Sequence, residues 1–126
     1  MQPTYRILIV DDNEAAAAGL AQLLEFRGHS LKLAHKGGGV ADIARDFNPE
    51  VIILDIGLPD INGYDVATQL RSELTYSPLI IALTGYGQYE DRERAREAGF
   101  DHHLTKPVGL RDIETILTSR QMAEAS

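Results

Sequence analysis

Cysteine is absent from the 126 residues, which removes disulfides, thiolate metal sites and cysteine nucleophiles from consideration. Its absence fits a reducing compartment. Runs of Lys or Arg are missing too. Twelve basic against 19 acidic residues leave a net charge of −7, the wrong sign for direct contact with a nucleic-acid backbone. No apolar stretch approaches the roughly 20 residues that cross a bilayer. Met1-Gln2-Pro3-Thr4 leads straight into a strand-like segment, with no apolar signal region before it. The expected location is the cytoplasm, without a membrane partner. Internal repeats, low-complexity segments and linkers are also lacking. The expectation is one domain over residues 1–126, with a core over about 5–118 and a loosely held tail over 119–126.

What is present is an alternation. Tyr5 to Val10 and Ser30 to Ala34 read as strands, as do the apolar runs Val51 to Leu54 and Leu79 to Leu83. Between them apolar residues recur at helical spacing: Ala16, Leu20, Leu23 and Leu24 before a stop at Gly28, then Val40, Ile43, Ala44 and Phe47, then Val66, Ala67, Leu70 and Leu74. A polar helix follows near residues 88–98, with Gly99 as its cap. Asp101 to Thr105 completes the set as a polar edge strand, and Leu110, Ile113 and Leu117 mark a last helix. Five strand–helix repeats with short connections predict an α/β fold, a parallel sheet with helices on both faces. The continuous apolar runs suit strands buried on both sides.

The strand ends carry the chemistry. The first strand runs into Asp11-Asp12, the third into Asp55, the fourth into Thr84-Gly85 and the fifth into Lys106-Pro107. Open parallel sheets bind ligands beyond the carboxyl ends of their strands. Three carboxylates there repel one another unless a cation relieves them, and Mg²⁺ prefers such hard oxygen ligands. An Asp55 carboxylate beside Mg²⁺ can attack an electrophilic phosphorus and form an acyl phosphate. Lys106 and Thr84 would supply a charge and a hydroxyl to the transferring group. Each piece alone is ordinary turn or cap chemistry; the specificity lies in all four standing at strand ends in this order.

That ordered set strongly resembles the receiver domain of two-component response regulators. The matching text is Ile7 through Glu14, Leu54 through Tyr64, Ala82 through Gly85 and Leu104 through Pro107, within a likeness spanning about Tyr5 to Thr118. The resemblance implies a flavodoxin-like (βα)5 three-layer sandwich with strand order 2-1-3-4-5. It implies that Asp55 accepts phosphate from a phosphohistidine on a histidine kinase or histidine phosphotransfer protein. Asp12, Asp55 and the Gly57 backbone carbonyl would ligate Mg²⁺ directly, with Asp11 acting largely through water. Thr84 and Lys106 would hold the phosphoryl oxygens, and Lys106-Pro107 would be a cis peptide.

Signalling would follow from a coupled shift of Thr84 and a residue on the fifth strand, moving the face of the fourth helix, fifth strand and fifth helix. The residue three before the lysine is His103, where many family members carry Tyr or Phe; histidine is polar and titratable. A weak homodimer through the same face is a further expectation. The polar fourth helix offers little to bury and can shift at low cost, although Glu90–Arg94 pairing would also explain its composition. Gly57 and Tyr86 occupy positions at which the family tunes phosphoryl lifetime, and they pull in opposite directions.

Two other classes fit the sequence less well than a phosphoacceptor that is not a turnover enzyme. A Mg²⁺-dependent phosphohydrolase would need a second acid two residues after Asp55, where Gly57 stands. A phosphorylation-independent interaction module would have little use for the acidic pair, Thr84 and Lys106. Gly37-Gly38-Gly39 lacks the position and spacing of a nucleotide fingerprint and reads as a frayed helix start. Asp60-Ile61-Asn62-Gly63 fails as a calcium loop, because Leu58 and Gln69 fall where acids are required. His102 and His103 would face opposite sides of a strand. No output domain is evident, so the expectation is a stand-alone regulator or the receiver of a larger protein such as a hybrid sensor kinase.

Overall fold

A computed structural model describes residues 3–85 and 92–125, with side chains of the last helix described through Arg120. The elements run β1 (Arg6–Val10), α1 (Glu14–Phe26), β2 (Ser30–Ala34), α2 (Val40–Phe47), β3 (Val51–Asp55), α3 (Gly63–Glu73), β4 (Leu79–Thr84), α4 (Arg92–Ala98), β5 (His102–Thr105) and α5 (Leu110–Ala125). All strand pairs are parallel, and the order across the sheet is β2-β1-β3-β4-β5.

Alternation along each strand divides the core in two. Leu8, Val10, Ile52, Leu54 and Ile80 pack under α2, α3 and α4. Ile7, Ile9, Ile53, Ile81 and Leu83 pack under α1 and α5. Every residue of β3 is buried, as expected for the central strand of a sheet covered on both sides. The four-residue β5 is an edge strand, exposed at His102 and Thr105 and half-buried at His103 and Leu104, so its polar sequence is no obstacle.

Local chemistry fixes the helix starts nearest the site. The Asn13 side chain caps α1 by accepting from the Ala16 amide, and Asn62 caps α3 through the Asp65 amide. Gly28 ends α1 as its position in the sequence suggests. α5 remains helical to Ala125, through the segment expected as a loose tail. The first four residues of the helix expected near 88–98, together with Tyr86 and the Glu90–Arg94 pair, involve positions outside the described residues. From Arg92 to Ala98 the chain is helical, with only Ala98 buried.

Candidate functional site

β1 and β3 are adjacent strands whose connections leave toward opposite sides of the sheet, which opens a crevice at their carboxyl ends. Pairing Val10 with Leu54 sets Asp11 beside Asp55. Pairing Asp55 with Leu83 and Thr84 with Thr105 brings β4 and β5 level with them. The register alone therefore gathers the strand-end residues.

Asp11, Asp12 and Asp55 each offer a carboxylate oxygen within 4.8 Å of the others. Asp11 and Asp55 are buried, and Asp12 is exposed. Asp55 Oδ1 accepts from the Gly57 amide at 2.8 Å, and its Oδ2 accepts from Lys106 Nζ at 2.8 Å. Asp11 Oδ1 accepts from the Asn13 amide at 3.0 Å and from Lys106 Nζ at 3.2 Å. Thr84 is buried, with its hydroxyl 3.5 Å from the Leu104 carbonyl and from the Thr105 hydroxyl. The Lys106-Pro107 peptide is cis. His103 is half-buried on β5, opposite Ala82.

Burial raises the Asp11 carboxyl above the ordinary carboxylate range; the Asn13 amide and Lys106 oppose that rise, while the neighbouring Asp55 charge adds to it. For Lys106, burial disfavours the charge, but its bonds and ion pairs with Asp55 and then Asp11 outweigh burial and raise its pKa. The result is a partly buried ammonium facing crowded carboxylates. One cation already serves two of the three acids, and the third acid opens to solvent. Hard oxygen donors, excess negative charge and one exposed ligand suit Mg²⁺, which keeps some of its waters. Among the described residues this is the only cluster of three or more His, Asp or Glu side chains able to hold a metal, and neither His102 nor His103 belongs to it.

Gly63 lies against the same turn. A Cβ there would meet Ile56 Cα at 2.5 Å and the Asp55 carbonyl at 2.8 Å. The start of α3 can approach the end of β3 only without a side chain at this point. An open cleft of about 500 Å³ flanks the acids, lined among others by Leu20, Leu23, Lys106, Pro107 and Val108.

Two contacts at the site had no signal in the sequence. His35, at the end of β2, has Nδ1 3.0 Å from the Asp11 carbonyl. The Asp60 carboxylate accepts from the Gly37 and Gly38 amides at 2.8 Å each. The glycine run expected as a frayed helix start is therefore a tie between two loops, and α2 begins only at Val40. Asp60 is committed to those amides and Asn62 to capping α3, which agrees with rejecting a calcium loop.

Comparison with known proteins gives one consistent result. The sequence pattern of the response regulator receiver domain matches residues 7–118. The response regulator MprA of Mycobacterium bovis is 35% identical over 110 residues, covering 87% of this chain and 47% of that protein. The chain thus spans about half the length of the curated relatives it matches. Among solved structures, a CheY-like receiver domain protein from Methanospirillum hungatei is 32% identical with a TM-score of 0.81, covering 96% of this chain and 99% of that one. A CheY-like receiver domain from Methylobacillus flagellatus is 28% identical at the same TM-score of 0.81, covering 93% and 98%. With its flavodoxin-like sheet order and its acidic crevice, this chain belongs to the response regulator receiver domain family of two-component signalling.

Proposed function

We propose that this receiver domain is a working phosphoacceptor, with Asp55 as the residue modified. The observation that carries the reading is the pairing of the Asp11, Asp12 and Asp55 cluster with Lys106, whose ammonium is 2.8 Å from Asp55. Asp11, Asp12 and Asp55, with the Gly57 carbonyl, would hold Mg²⁺. When bound, the ion draws charge from the phosphoryl oxygens and relieves the carboxylates.

The chain's own groups account for the rest. An Asp55 oxygen forms the new O–P bond as the P–N bond of a phosphohistidine breaks, and the imidazole nitrogen leaves with the electron pair. Lys106 gives up its contact with Asp55 to the incoming phosphoryl oxygens, and the Thr84 hydroxyl donates to them. The donor is a histidine kinase or histidine phosphotransfer protein, reaching Asp55 past the cleft formed by α1 and the β5–α5 loop. The only group transferred ends on the chain itself, so the domain is a signalling module and not a turnover enzyme.

Thr84 and His103 stand on neighbouring strands, and the exposed α4 is the lightly anchored element beside them. Their coupled movement would carry the signal to the α4/β5/α5 face, and weak self-association through that face belongs to the same proposal. No helix among the described residues is long and apolar enough to cross a membrane, which agrees with a cytoplasmic site of action, and the net charge of −7 speaks against direct nucleic-acid binding by this domain.

The test is intact mass after incubation with Mg²⁺ and acetyl phosphate, beside Asp55→Asn. Gain of one phosphoryl group in the wild type alone is expected. Labelling retained in Asp55→Asn would remove the assignment. No labelling of a wild type shown to bind Mg²⁺ would favour a phosphate-independent module.

A further inference from the structure

The turn between β2 and α2, residues 35–39, touches both loops that carry the acidic cluster, and the reaction outlined above makes no use of it. At one end His35 Nδ1 lies 3.0 Å from the Asp11 carbonyl. A carbonyl only accepts, so Nδ1 is the donor. The Asp11 amide in turn donates to the Ala34 carbonyl at 3.0 Å. The backbone of Asp11 is thus held on both sides by the end of β2.

At the other end the amides of Gly37 and Gly38 grip the two oxygens of Asp60, each at 2.8 Å. Amide bonds to a carboxylate are charge-assisted and stronger than neutral ones. They hold the Asp60 carboxyl below its usual range, the Gly37 bond most and the Gly38 bond next. The turn is also seated closely: a Cβ on Gly37 would stand 2.9 Å from Val66 Cγ2 and 3.2 Å from Ile61 Cβ. Asp60 and Gly57 share the loop that leaves β3.

We propose that the β2–α2 turn is a brace that fixes the spacing between Asp11-Asp12 and Asp55-Gly57, making Asp60 and His35 positioning residues for cation binding. The inference rests on the Mg²⁺ site proposed above. Lys106 serves two of the three carboxylates, but one ammonium leaves the cluster with excess negative charge that pushes its loops apart in metal-free protein. The brace ties one loop to the other through β2. Groups that orient ligands without touching the metal commonly tune its affinity.

The experiment compares wild type, Asp60→Ala and Asp60→Asn by amide hydrogen exchange without metal and by Mg²⁺ titration followed through amide resonances. Both variants lose the same charge, but only Asn keeps an acceptor for a glycine amide. The brace predicts weaker protection of the Gly57 and Asn13 amides in Asp60→Ala, because those amides bond to Asp55 and Asp11. It also predicts a loss of Mg²⁺ affinity of about tenfold, with Asp60→Asn retaining a clear part of both. Unchanged Gly57 and Asn13 amides in Asp60→Ala would overturn it. Identical losses in the two variants would assign the effect to charge and also overturn it. A wild type that binds no Mg²⁺ would defeat the site reading instead, while the metal-free exchange still decides the brace.

Discussion

Lys106 Nζ stands 2.8 Å from Asp55 Oδ2 and 3.2 Å from Asp11, so one ammonium from the β5–α5 loop neutralises acids from two different strands. Removing one member of a buried pair leaves the other charged and uncompensated. Lys106 is 30% exposed, and solvent screens part of the effect. Lys106→Ala should therefore cost about 2 kcal/mol in metal-free protein, measured by urea denaturation. Saturating Mg²⁺ should raise the melting temperature of this variant more than that of the wild type, because the ion takes over the lost neutralisation. An equal rise in both would show that the lysine does not act on the carboxylates.

Replacing Gly with Ala inside a helix ordinarily stabilises it by about 0.5–1 kcal/mol. Gly63→Ala should do the reverse, since its Cβ would meet backbone atoms of Asp55 and Ile56 that cannot rotate away. A loss of about 3 kcal/mol or more is expected, together with slower phosphorylation of Asp55 by acetyl phosphate. Urea denaturation and intact mass report the two effects; a neutral or stabilising outcome would contradict the packing of α3 on the β3 turn.

Arg71 joins α3 to the far end of the sheet. Its guanidinium donates to the Gly99 carbonyl at 3.0 and 2.7 Å, to the Pro78 carbonyl at 2.8 Å and to Asp101 Oδ2 at 2.9 Å. The same Asp101 oxygen accepts from the Ile80 amide at 2.8 Å. Arg71→Met keeps much of the stem but removes the side-chain donors to the Gly99 and Pro78 carbonyls and the ion pair with Asp101, whose Oδ2 keeps only the Ile80 amide. It should cost about 2–4 kcal/mol in chemical denaturation. Mg²⁺ affinity should be unchanged, because the clamp lies at the opposite edge from the acids.

His29 gives the domain a pH dependence of its own. Nδ1 accepts from the Tyr5 amide at 3.0 Å, which requires an unprotonated nitrogen. Burial lowers the pKa of the ring, and Glu114 only partly opposes it. The unfolded chain therefore binds a proton more readily than the folded one. The contribution is complete above the unfolded value of about 6.5 and is lost as pH falls through the folded value. The melting temperature of metal-free protein should fall on acidification from pH 7.5 to 5.5, and His29→Gln should remove that component. A variant as pH-sensitive as the wild type would refute the assignment.

Much of the site was legible because strand ends in a parallel sheet are written consecutively: an apolar run followed at once by Asp11, Asp55 or Thr84. Periodicity located α1, α2 and α3 for the same reason, since each hides one face. Contacts that bridge distant loops left no such trace. Asp60 meets Gly37 across 23 positions and His35 meets the Asp11 carbonyl across 24. Neither pairing obeys a local period, and the glycines read as weak helix formers until their partner is seen. Arg71, on a helix whose inward residues follow the helical period, likewise gives no hint of its target 28 residues later.

The parallel sheet also gives the molecule one edge that carries the acidic cluster and a remote one. α1 runs from the first to the second, and its 13 residues cover about 20 Å at 1.5 Å per residue. Phe26, at its far end, is 88% exposed. With no native cysteine in the chain, a thiol introduced there by Phe26→Cys would be unique. A fluorophore attached to it would sit at the far end of α1 from the acids and one turn beyond Leu23, which lines the cleft. A partner protein seated along α1 could then be followed by energy transfer or by the change in the dye's own surroundings.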